Sequence, residues 1–279
     1  MECGYCGGRF FRHVTSKDGY AILKCRDCAL VQADVPMDVE AFYNREDYFS
    51  RTSTGETFGT DFLECRTITD KIPLNERTFD LFNAFRAGVG EPGFRDKSVL
   101  EIGPGPNGGT MKYLTALSVV EGLEISKRAV DHLGGLGFTM YCGSIGEVRV
   151  DKQYDMILAY ELVEHLRDPK KAFAAIYGLL KPGGMFMLST GNVNSLRAHF
   201  FGKRWSYFLP PQHLFYFGGA TITRHLETAG FKKKDIQVLK YSLWSKKQAI
   251  QLGFPNLRSS LFLRLVSNLT NGMTVYATK

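Results

Sequence analysis

The feature that most constrains the fold is a short apolar segment that leads directly into a glycine-rich turn. Residues 98–102 read Ser-Val-Leu-Glu-Ile, and glycines follow at Gly103, Gly105, Gly108 and Gly109. Glycine lets a backbone bend tightly and approach a ligand closely. We therefore expect a strand over 98–102, a helix over 110–117, and a ligand site where the strand ends.

The same alternation of apolar strands and amphipathic helices continues along the chain. It predicts a doubly wound, mostly parallel, seven-stranded α/β sheet. The expected strands cover 98–102, 118–125, 138–141, 154–160, 185–189, 236–243 and 273–277. The expected helices cover 110–117, 126–136, 168–180, 220–229 and 257–269.

Four of the six cysteines form two pairs, Cys3-x-x-Cys6 and Cys25-x-x-Cys28. Two such turns can bring four thiolates to one ion, which is the ligand set of a structural zinc site. Short strands around Lys17-Asp18-Gly19 predict a hairpin between the pairs. The alternatives are a redox pair and a ribbon that has lost its metal.

Three segments follow from these patterns. Residues 1–33 form the zinc ribbon, and 34–94 form a helical linker or lid with helices within 61–87. Residues 95–279 form the α/β domain, which carries a substrate-loop insertion at about 192–218. Hydrophobic residues make up 44% of the chain and charged residues 23%, which excludes a disordered or collagen-like chain. The N-terminal residues resemble no export signal and no long apolar run occurs, so we expect a cytoplasmic protein without membrane contact.

Two carboxylates indicate the ligand of the glycine turn. Glu101 precedes the first glycine by two residues, and Glu124 ends the next strand, 21 residues after Gly103. A carboxylate at Glu101 would repel a pyrophosphate but suits an ammonium or other cation. Glu124 is placed to accept two ribose hydroxyls. This combination favours S-adenosylmethionine over a nicotinamide dinucleotide.

With these residues in place, the chain resembles the class I S-adenosylmethionine-dependent methyltransferases over about 95–245. It is most similar to the small-molecule branch that includes the ubiquinone-biosynthesis O-methyltransferases. The ribbon resembles those of methyltransferases acting on sugars, polysaccharides and natural products. One departure is Asn107, which stands where a third glycine is expected. The matching motifs are Glu101-x-Gly103-x-Gly105, Glu124, Tyr154-Asp155, the stretch from Glu161 to Pro169, and Lys181-Pro182-Gly183-Gly184.

The resemblance implies a role for each matching position. Glu101 and the backbone of Gly103 and Gly105 would hold the methionine end of the cofactor, and Glu124 would hold the ribose. Contacts to adenine are expected from Ile125, Ser144 and Ile145. Tyr160 and Glu161 would face the sulfonium and the substrate. Core packing is the alternative for Ile125 and Ile145.

Two histidines are candidates for the base that a hydroxyl acceptor needs. His165 follows the fourth strand, and His213 lies in a His-Leu-x-x-Phe pattern of the family's substrate-side loop. Glu161, Glu164 and His165 also resemble a divalent-metal site of the ubiquinone-type enzymes. The alternative is that both histidines only hold their loops in place.

Three functions remain open at this level. The favoured one is methyl transfer to a hydroxyl of a small molecule, such as a sugar, a polysaccharide precursor or a natural product. The net charge of +7 also permits an RNA methyltransferase that carries a zinc ribbon. A non-catalytic binding module is the third, and the intact glycine turn and Glu124 argue against it.

Overall fold

A computed structural model describes residues 1–36, 93–239 and 272–279, apart from residues 107, 109 and 116 and the side chain of Tyr113. Most of the expected segment 34–94, the expected helix 257–269 and Asn107 lie outside the described residues. Among the residues described, no helix is both long enough and apolar enough to cross a bilayer.

The N-terminal region is a small antiparallel sheet. Strands β1 (Phe11–Lys17) and β2 (Tyr20–Cys25) form the expected hairpin. Asp18 and Gly19 both have positive φ angles, of 52° and 83°, as the tight turn of a two-residue hairpin requires. Strand β3 (Val31–Ala33) pairs with β2, and the late strand β9 (Phe215–Tyr216) pairs with β3.

The second sheet has seven strands, which are β4 (Ser98–Ile102), β5 (Val119–Glu124), β6 (Thr139–Cys142), β7 (Tyr154–Tyr160), β8 (Leu180–Gly191), β10 (Ile236–Leu239) and β11 (Gly272–Thr278). They lie in the order β10-β11-β8-β7-β4-β5-β6. Parallel ladders join β4 to β5, β4 to β7 and β5 to β6, whereas β10 and β11 are antiparallel. This confirms the predicted doubly wound, mostly parallel sheet.

Five α-helices occur among the described residues. They are α1 (Met111–Leu114), α2 (Lys127–Gly135), α3 (Pro169–Leu179), α4 (Leu196–Phe201) and α5 (Gly219–Ala229). Helix α3 begins at a proline, with Asp168 accepting a hydrogen bond from the Lys171 backbone N–H at 2.9 Å. Helix α5 ends at Gly230, whose φ of 119° closes the helix as expected.

Two predicted boundaries are wrong. Helix α1 ends at Leu114 instead of residue 117, and the Thr115 hydroxyl donates to the Lys112 carbonyl at 3.0 Å. Strand β8 is longer than the expected 185–189 and includes Gly183 and Gly184. The backbone there pairs with Lys279, because Gly183 N–H donates to its carbonyl and Gly184 accepts from its N–H.

The described residues fall into two compact units. The ribbon unit contains residues 1–36, 161–173 and the described part of 188–278. The sheet unit contains residues 93–160, 174–187 and Lys279. In the ribbon unit, a buried cluster packs β2 and β3 against the segment after α4, through Ile22, Val31, Trp205, Phe208 and Tyr216. In the sheet unit, β4 and β7 are buried on both faces, as their continuous apolar runs predict.

Candidate functional site

The glycine turn lies at the carboxyl end of β4, where the strand order reverses between β4 and β7. Such a switch point is where open α/β sheets bind ligands. Gly103 and Gly105 have φ angles of 70° and 63°, a backbone conformation that L side chains rarely adopt. A methyl group placed on Gly105 would meet no atom of the described residues within 4 Å, so this part of the chain leaves the space beside the turn open.

Glu101 is buried beneath this turn and faces the start of α1. Both carboxylate oxygens accept the Thr110 backbone N–H, at 3.1 and 3.0 Å, and one also accepts the Thr110 hydroxyl at 2.7 Å. Burial raises the pKa of Glu101 to about 7, although the bonds from Thr110 oppose that rise. The Glu101 carboxylate therefore holds the end of the glycine turn in place through its hydrogen bonds with Thr110.

Glu124 ends β5 and is 7% exposed. One carboxylate oxygen accepts the Gly105 backbone N–H at 3.0 Å, and the other accepts the Ser126 N–H at 3.0 Å. Burial raises its pKa, and the backbone N–H groups of Ser126, Gly105 and Ile125 oppose that rise. A carboxylate offers about four lone-pair positions. Glu124 can therefore hold the glycine turn and still accept a hydroxyl group.

The other expected cofactor residues lie near the carboxyl ends of neighbouring strands of the sheet unit. Ile125 follows β5 and is half-buried, and Ile145 follows β6 and is buried. Ser144 forms a turn whose carbonyl accepts from the backbone of residues 147 and 148, and Tyr160 is the last residue of β7. The Gly143 N–H donates to the Glu124 carbonyl at 2.9 Å, which ties the end of β6 to that of β5. The fold thus brings these residues to one edge of the sheet.

In the ribbon unit, Glu161 has a φ of 47°, the left-handed region that a non-glycine residue occupies at a cost. Its carboxylate accepts the Ser189 hydroxyl at 3.1 Å and the Tyr207 hydroxyl at 3.2 Å. Strained backbone of this kind persists where surrounding contacts hold it, and it is frequent at functional sites.

Glu164 is fully buried beside this group. Its carboxylate accepts the Thr190 hydroxyl at 2.9 Å and the Tyr207 hydroxyl at short range. Burial, with the nearby charge of Glu161, raises the pKa of Glu164 to about 8, while the bonds from Tyr207 and Thr190 oppose that rise. The result is a buried carboxyl group that holds its proton near neutral pH.

The two candidate histidines meet in the same unit. The rings of His165 and His213 cross edge-on with centroids 4.7 Å apart. His165 Nδ1 lies 2.8 Å from the Gln212 carbonyl, and His213 Nδ1 lies 2.8 Å from the Tyr207 carbonyl. A carbonyl only accepts, so each Nδ1 carries the proton in the neutral ring, and His165 also contacts the backbone of Glu161. Burial lowers the pKa of His165 to about 4, which keeps it neutral at pH 7.

The histidines and one carboxylate also suit a metal ion. Ligand atoms of Glu164, His165 and His213 lie within 4.8 Å of one another. Two imidazoles and one carboxylate suit a transition metal better than magnesium. The resemblance implied Glu161 as a member of such a site, whereas here its carboxylate bonds to Ser189 and Tyr207.

The four ribbon cysteines also converge. Cys3 Sγ lies 3.4 Å from Cys28 Sγ, Cys6 Sγ lies 3.6 Å from Cys25 Sγ, and all four sulfurs lie within 4.8 Å of one another. Tetrahedral zinc with bonds of about 2.3 Å separates its sulfurs by about 3.8 Å. The four thiols are unpaired by disulfides. The donor set and its spacing fit one zinc ion.

Each cysteine pair sits in the same backbone turn. The carbonyls of Cys3 and Cys25 accept N–H bonds from the residue four positions on, Gly7 and Ala29, at 2.9 and 3.1 Å. Gly7 and Ala29 both have positive φ angles, of 72° and 64°. The repeated turn orients each pair of thiols toward a common point.

The ribbon is bonded to the loop that carries His213. Strand β3 pairs with β9 just after this histidine, and the Ala33 N–H donates to the Leu214 carbonyl at 2.9 Å. Leu214 N–H in turn donates to the Glu164 carbonyl at 2.8 Å. The Tyr5 ring, between the first two cysteines, stacks on His225 of α5 at 4.1 Å. The ribbon thus supports the loop that carries His213 in its own unit.

Sequence reasoning missed three polar residues of this cluster, Ser189, Thr190 and Tyr207. Two hydroxyl residues at the end of the apolar run 185–188 were a usable signal, because polar groups at a strand's carboxyl end commonly serve a site. Tyr207 had no such signal, since its partner Glu164 is 43 positions away. Thr110, the partner of Glu101, was also missed.

Comparison with known proteins identifies the class. The sequence profile of the family described as "Methyltransferase domain" matches residues 74–235, more than half of the chain. The chain belongs to this family and carries a methyltransferase domain.

Two individual relatives share 30% and 28% sequence identity with the matched parts of this chain. A probable S-adenosylmethionine-dependent methyltransferase of Mycolicibacterium smegmatis is 30% identical over 142 residues, covering 50% of this chain and 53% of that protein. A ubiquinone biosynthesis O-methyltransferase of Pseudomonas savastanoi pv. phaseolicola is 28% identical over 172 residues, covering 57% and 67%. The chain therefore matches about half to two thirds of the length of these relatives.

Solved structures agree on the fold. An S-adenosylmethionine-dependent methyltransferase from Mesorhizobium loti has a TM-score of 0.54 at 15% identity, and the match covers 72% of this chain and 98% of that one. At this level of identity the likeness establishes a methyltransferase fold and nothing finer.

Proposed function

We propose that this protein transfers the methyl group of S-adenosylmethionine to a hydroxyl group of a small molecule. Family membership supports the methyl transfer, and the names of the ubiquinone relatives support an oxygen acceptor. The observation that carries the cofactor assignment is Glu124, a buried carboxylate that accepts a hydrogen bond from the glycine turn, beside which the described residues leave space for a ligand.

Each residue of the sheet unit then has a proposed task. Glu124 accepts a ribose hydroxyl, while the backbone of Gly103 and Gly105 lies along the methionine end. Ile125, Ser144 and Ile145 contact adenine, and Tyr160 lies toward the sulfonium. Glu101 acts indirectly, because its carboxylate is bonded to Thr110 and holds the turn in shape.

S-adenosylmethionine supplies an electrophilic methyl group on a positive sulfur. The chain's own contribution is to align the acceptor oxygen with that methyl group and to exclude water. The acceptor oxygen would bond to the methyl carbon as the sulfur–methyl bond breaks and S-adenosylhomocysteine leaves. The hydroxyl proton would pass to Nε2 of His165 or His213. Their Nδ1–H groups are anchored to carbonyls, which fixes the tautomer that can accept this proton. Glu161 helps to position the acceptor.

The zinc ribbon has a structural role in this proposal. Cys3, Cys6, Cys25 and Cys28 would fill all four positions of a zinc ion, which leaves none for catalysis. We retain the division into residues 1–33, 34–94 and 95–279, with the insertion at about 192–218, as the proposed domain organisation.

The histidine proposal is tested with His165→Ala and His213→Ala, and with His13→Ala as the matched control. His13 is exposed on β1. Within the described part of the chain, its side chain forms a hydrogen bond with Ser16 alone. Turnover is measured against nucleotide-sugars, phenols and RNA by a mass gain of about 14 daltons, one methylene. Removing the base should reduce turnover about 10²–10⁴-fold with cofactor affinity unchanged.

The pH profile separates a base from a positioning residue. If His165 is the base, wild-type turnover should fall only as pH drops through about 4, because that is where its pKa lies. A loss in apparent substrate affinity with nearly normal turnover would instead indicate positioning. Full turnover in both variants would contradict the proposed base, and methylation of RNA alone would contradict the small-molecule acceptor.

A further inference from the structure

An open groove lies within the ribbon unit, between the β1–β2 hairpin and the segment that contains α4. Its volume is about 620 Å³, within the usual range for small-molecule sites. The hairpin supplies Arg12, Val14, Thr15 and Lys24, and the later segment supplies residues from Val193 to Phe208.

Every ionised side chain among the described residues of this lining is basic. Arg12, Lys24 and Lys203 contribute three positive charges, His199 adds an imidazole, and none of the described lining residues is an aspartate or glutamate. The later wall belongs to a long acid-free part of the sequence, because no aspartate or glutamate occurs between Asp168 and Glu227. Within the described residues, no ion pair neutralises these three cations.

Arg12 and Lys24 are also direct neighbours across the hairpin, paired in the register of β1 and β2. Like charges in this position repel each other and weaken a hairpin. An anion bound between them would remove that repulsion. The repulsion between Arg12 and Lys24 therefore lowers the stability of the free protein, and a bound anionic ligand would relieve it.

The remaining lining suits a ligand that is only partly charged. Val14, Val31, Val193 and Phe208 are apolar, while Thr15, Asn194 and Ser195 carry short polar side chains. The groove can thus take an apolar or sugar-like body next to an anionic group. A single-stranded RNA track would instead need a longer basic path with stacked aromatic rings.

We propose that this groove binds the phosphate group of a phosphorylated small molecule. Arg12 would provide a two-pronged contact to the phosphate oxygens, and Lys24 and Lys203 would act as point charges. Resting on the proposed function, this molecule is the methyl acceptor, held at its phosphate end. Phe208 packs on Trp205 at 4.9 Å and Trp205 on Tyr207 at 5.3 Å, so one aromatic layer connects the groove to the residue that bonds Glu164.

The test uses inorganic pyrophosphate and calorimetry on the full-length protein. The groove variant is Arg12→Gln combined with Lys24→Gln. The matched control is Arg26→Gln combined with Arg149→Gln, which removes the same charge from exposed positions outside the groove. The groove variant should bind pyrophosphate at least about tenfold more weakly, and the control less than about twofold, because only the first loses charge-assisted hydrogen bonds.

A stability measurement provides a second readout. Without ligand, the groove variant should be at least as stable as the wild type, since the repulsion between positions 12 and 24 is gone. Pyrophosphate should raise the melting temperature of the wild type and of the control variant only. An unfolded groove variant would be replaced by Lys203→Gln, which lies outside the hairpin and should also weaken binding.

Several results would overturn the proposal. These are no pyrophosphate binding to the wild type, equal weakening in the groove and control variants, or tighter binding of a short RNA that depends on the same two residues. A failure of the proposed function can be distinguished from a failure of this groove proposal. Pyrophosphate binding that depends on Arg12 and Lys24 would stand even if the protein bound no S-adenosylmethionine.

Discussion

Replacing Glu101 by glutamine should change how the stability of the protein depends on pH. Glu101 is 1% exposed, and burial raises its pKa from an ordinary value of 4.5 to about 7. Glutamine keeps the shape and one acceptor oxygen for Thr110 but cannot ionise. The variant therefore isolates the cost of charging this single group.

The direction in which stability changes with pH follows from proton linkage. Between pH 4.5 and 7 the folded protein holds the Glu101 proton more tightly than the unfolded chain does, so stability falls as pH rises. A shift of this size corresponds to about 3 kcal/mol in full, of which about 2.5 kcal/mol falls between pH 5 and pH 8. The wild type should lose this amount relative to Glu101→Gln over that range.

The assay is urea unfolding followed by circular dichroism at pH 5, 6, 7 and 8. The difference between variant and wild type is the quantity of interest, because other titrating groups contribute equally to both. Glu227→Gln is the matched control, since Glu227 is exposed on α5. Thr110→Val should move the decline in stability to higher pH, because the hydrogen bond from the Thr110 hydroxyl lowers the pKa of Glu101.

A constant difference between Glu101→Gln and the wild type from pH 5 to pH 8 would refute this reasoning. It would mean that the carboxylate is charged without penalty, and that it is not buried beneath the turn. A pH-dependent difference of the same size in Glu227→Gln would contradict the assignment to Glu101.

Two further predictions concern the ribbon unit. Cys25→Ser should abolish stoichiometric zinc in metal analysis and speed amide exchange in β9 but not in β4, because β9 pairs with the ribbon. Full zinc content in this variant would contradict the four-cysteine site. Tyr207→Phe should lower the free energy of unfolding by about 1–3 kcal/mol, since it removes a hydroxyl bonded to buried Glu164. Tyr20→Phe on β2 serves as its control in urea unfolding, and equal small losses in both would contradict the buried bond.

The sheet was predictable because its signals are local. Residues 98–102 form a mostly apolar run that ends at Gly103, and Glu124 ends the next such run, so both strand ends can be located from the sequence. Parallel strands that are buried on both faces need this composition. The hairpin around Asp18 and Gly19 follows from turn chemistry in the same way.

The pairing of β3 with β9 was not predictable. Phe215–Tyr216 is only two residues long, which is too short for an alternating pattern, and its partner β3 lies near the N-terminus. Pairing at this separation depends on the tertiary fold. The expected insertion at about 192–218 is therefore partly ordered by a ribbon that is distant in sequence.

The histidine and glutamate cluster of the ribbon unit was predictable only in part. His165 and His213 were each identified from their motifs, but neither motif indicates that their rings lie 4.7 Å apart. The bond from Tyr207 to Glu164 joins two loops whose separation in sequence carries no periodic signal. Burial of Glu164, which raises its pKa to about 8, follows from that packing and not from residue type.

The measurement that tests the central claim most directly is calorimetric titration of S-adenosylmethionine into the wild type, Glu124→Ala and the control Glu227→Ala. One binding site is expected in the wild type and in the control. Glu124→Ala should bind at least about tenfold more weakly, because the charge-assisted hydrogen bonding to the ribose is lost. Glu124→Gln, which keeps one acceptor oxygen, should fall between them. No binding to the wild type, or equal affinity in folded Glu124→Ala, would contradict the account.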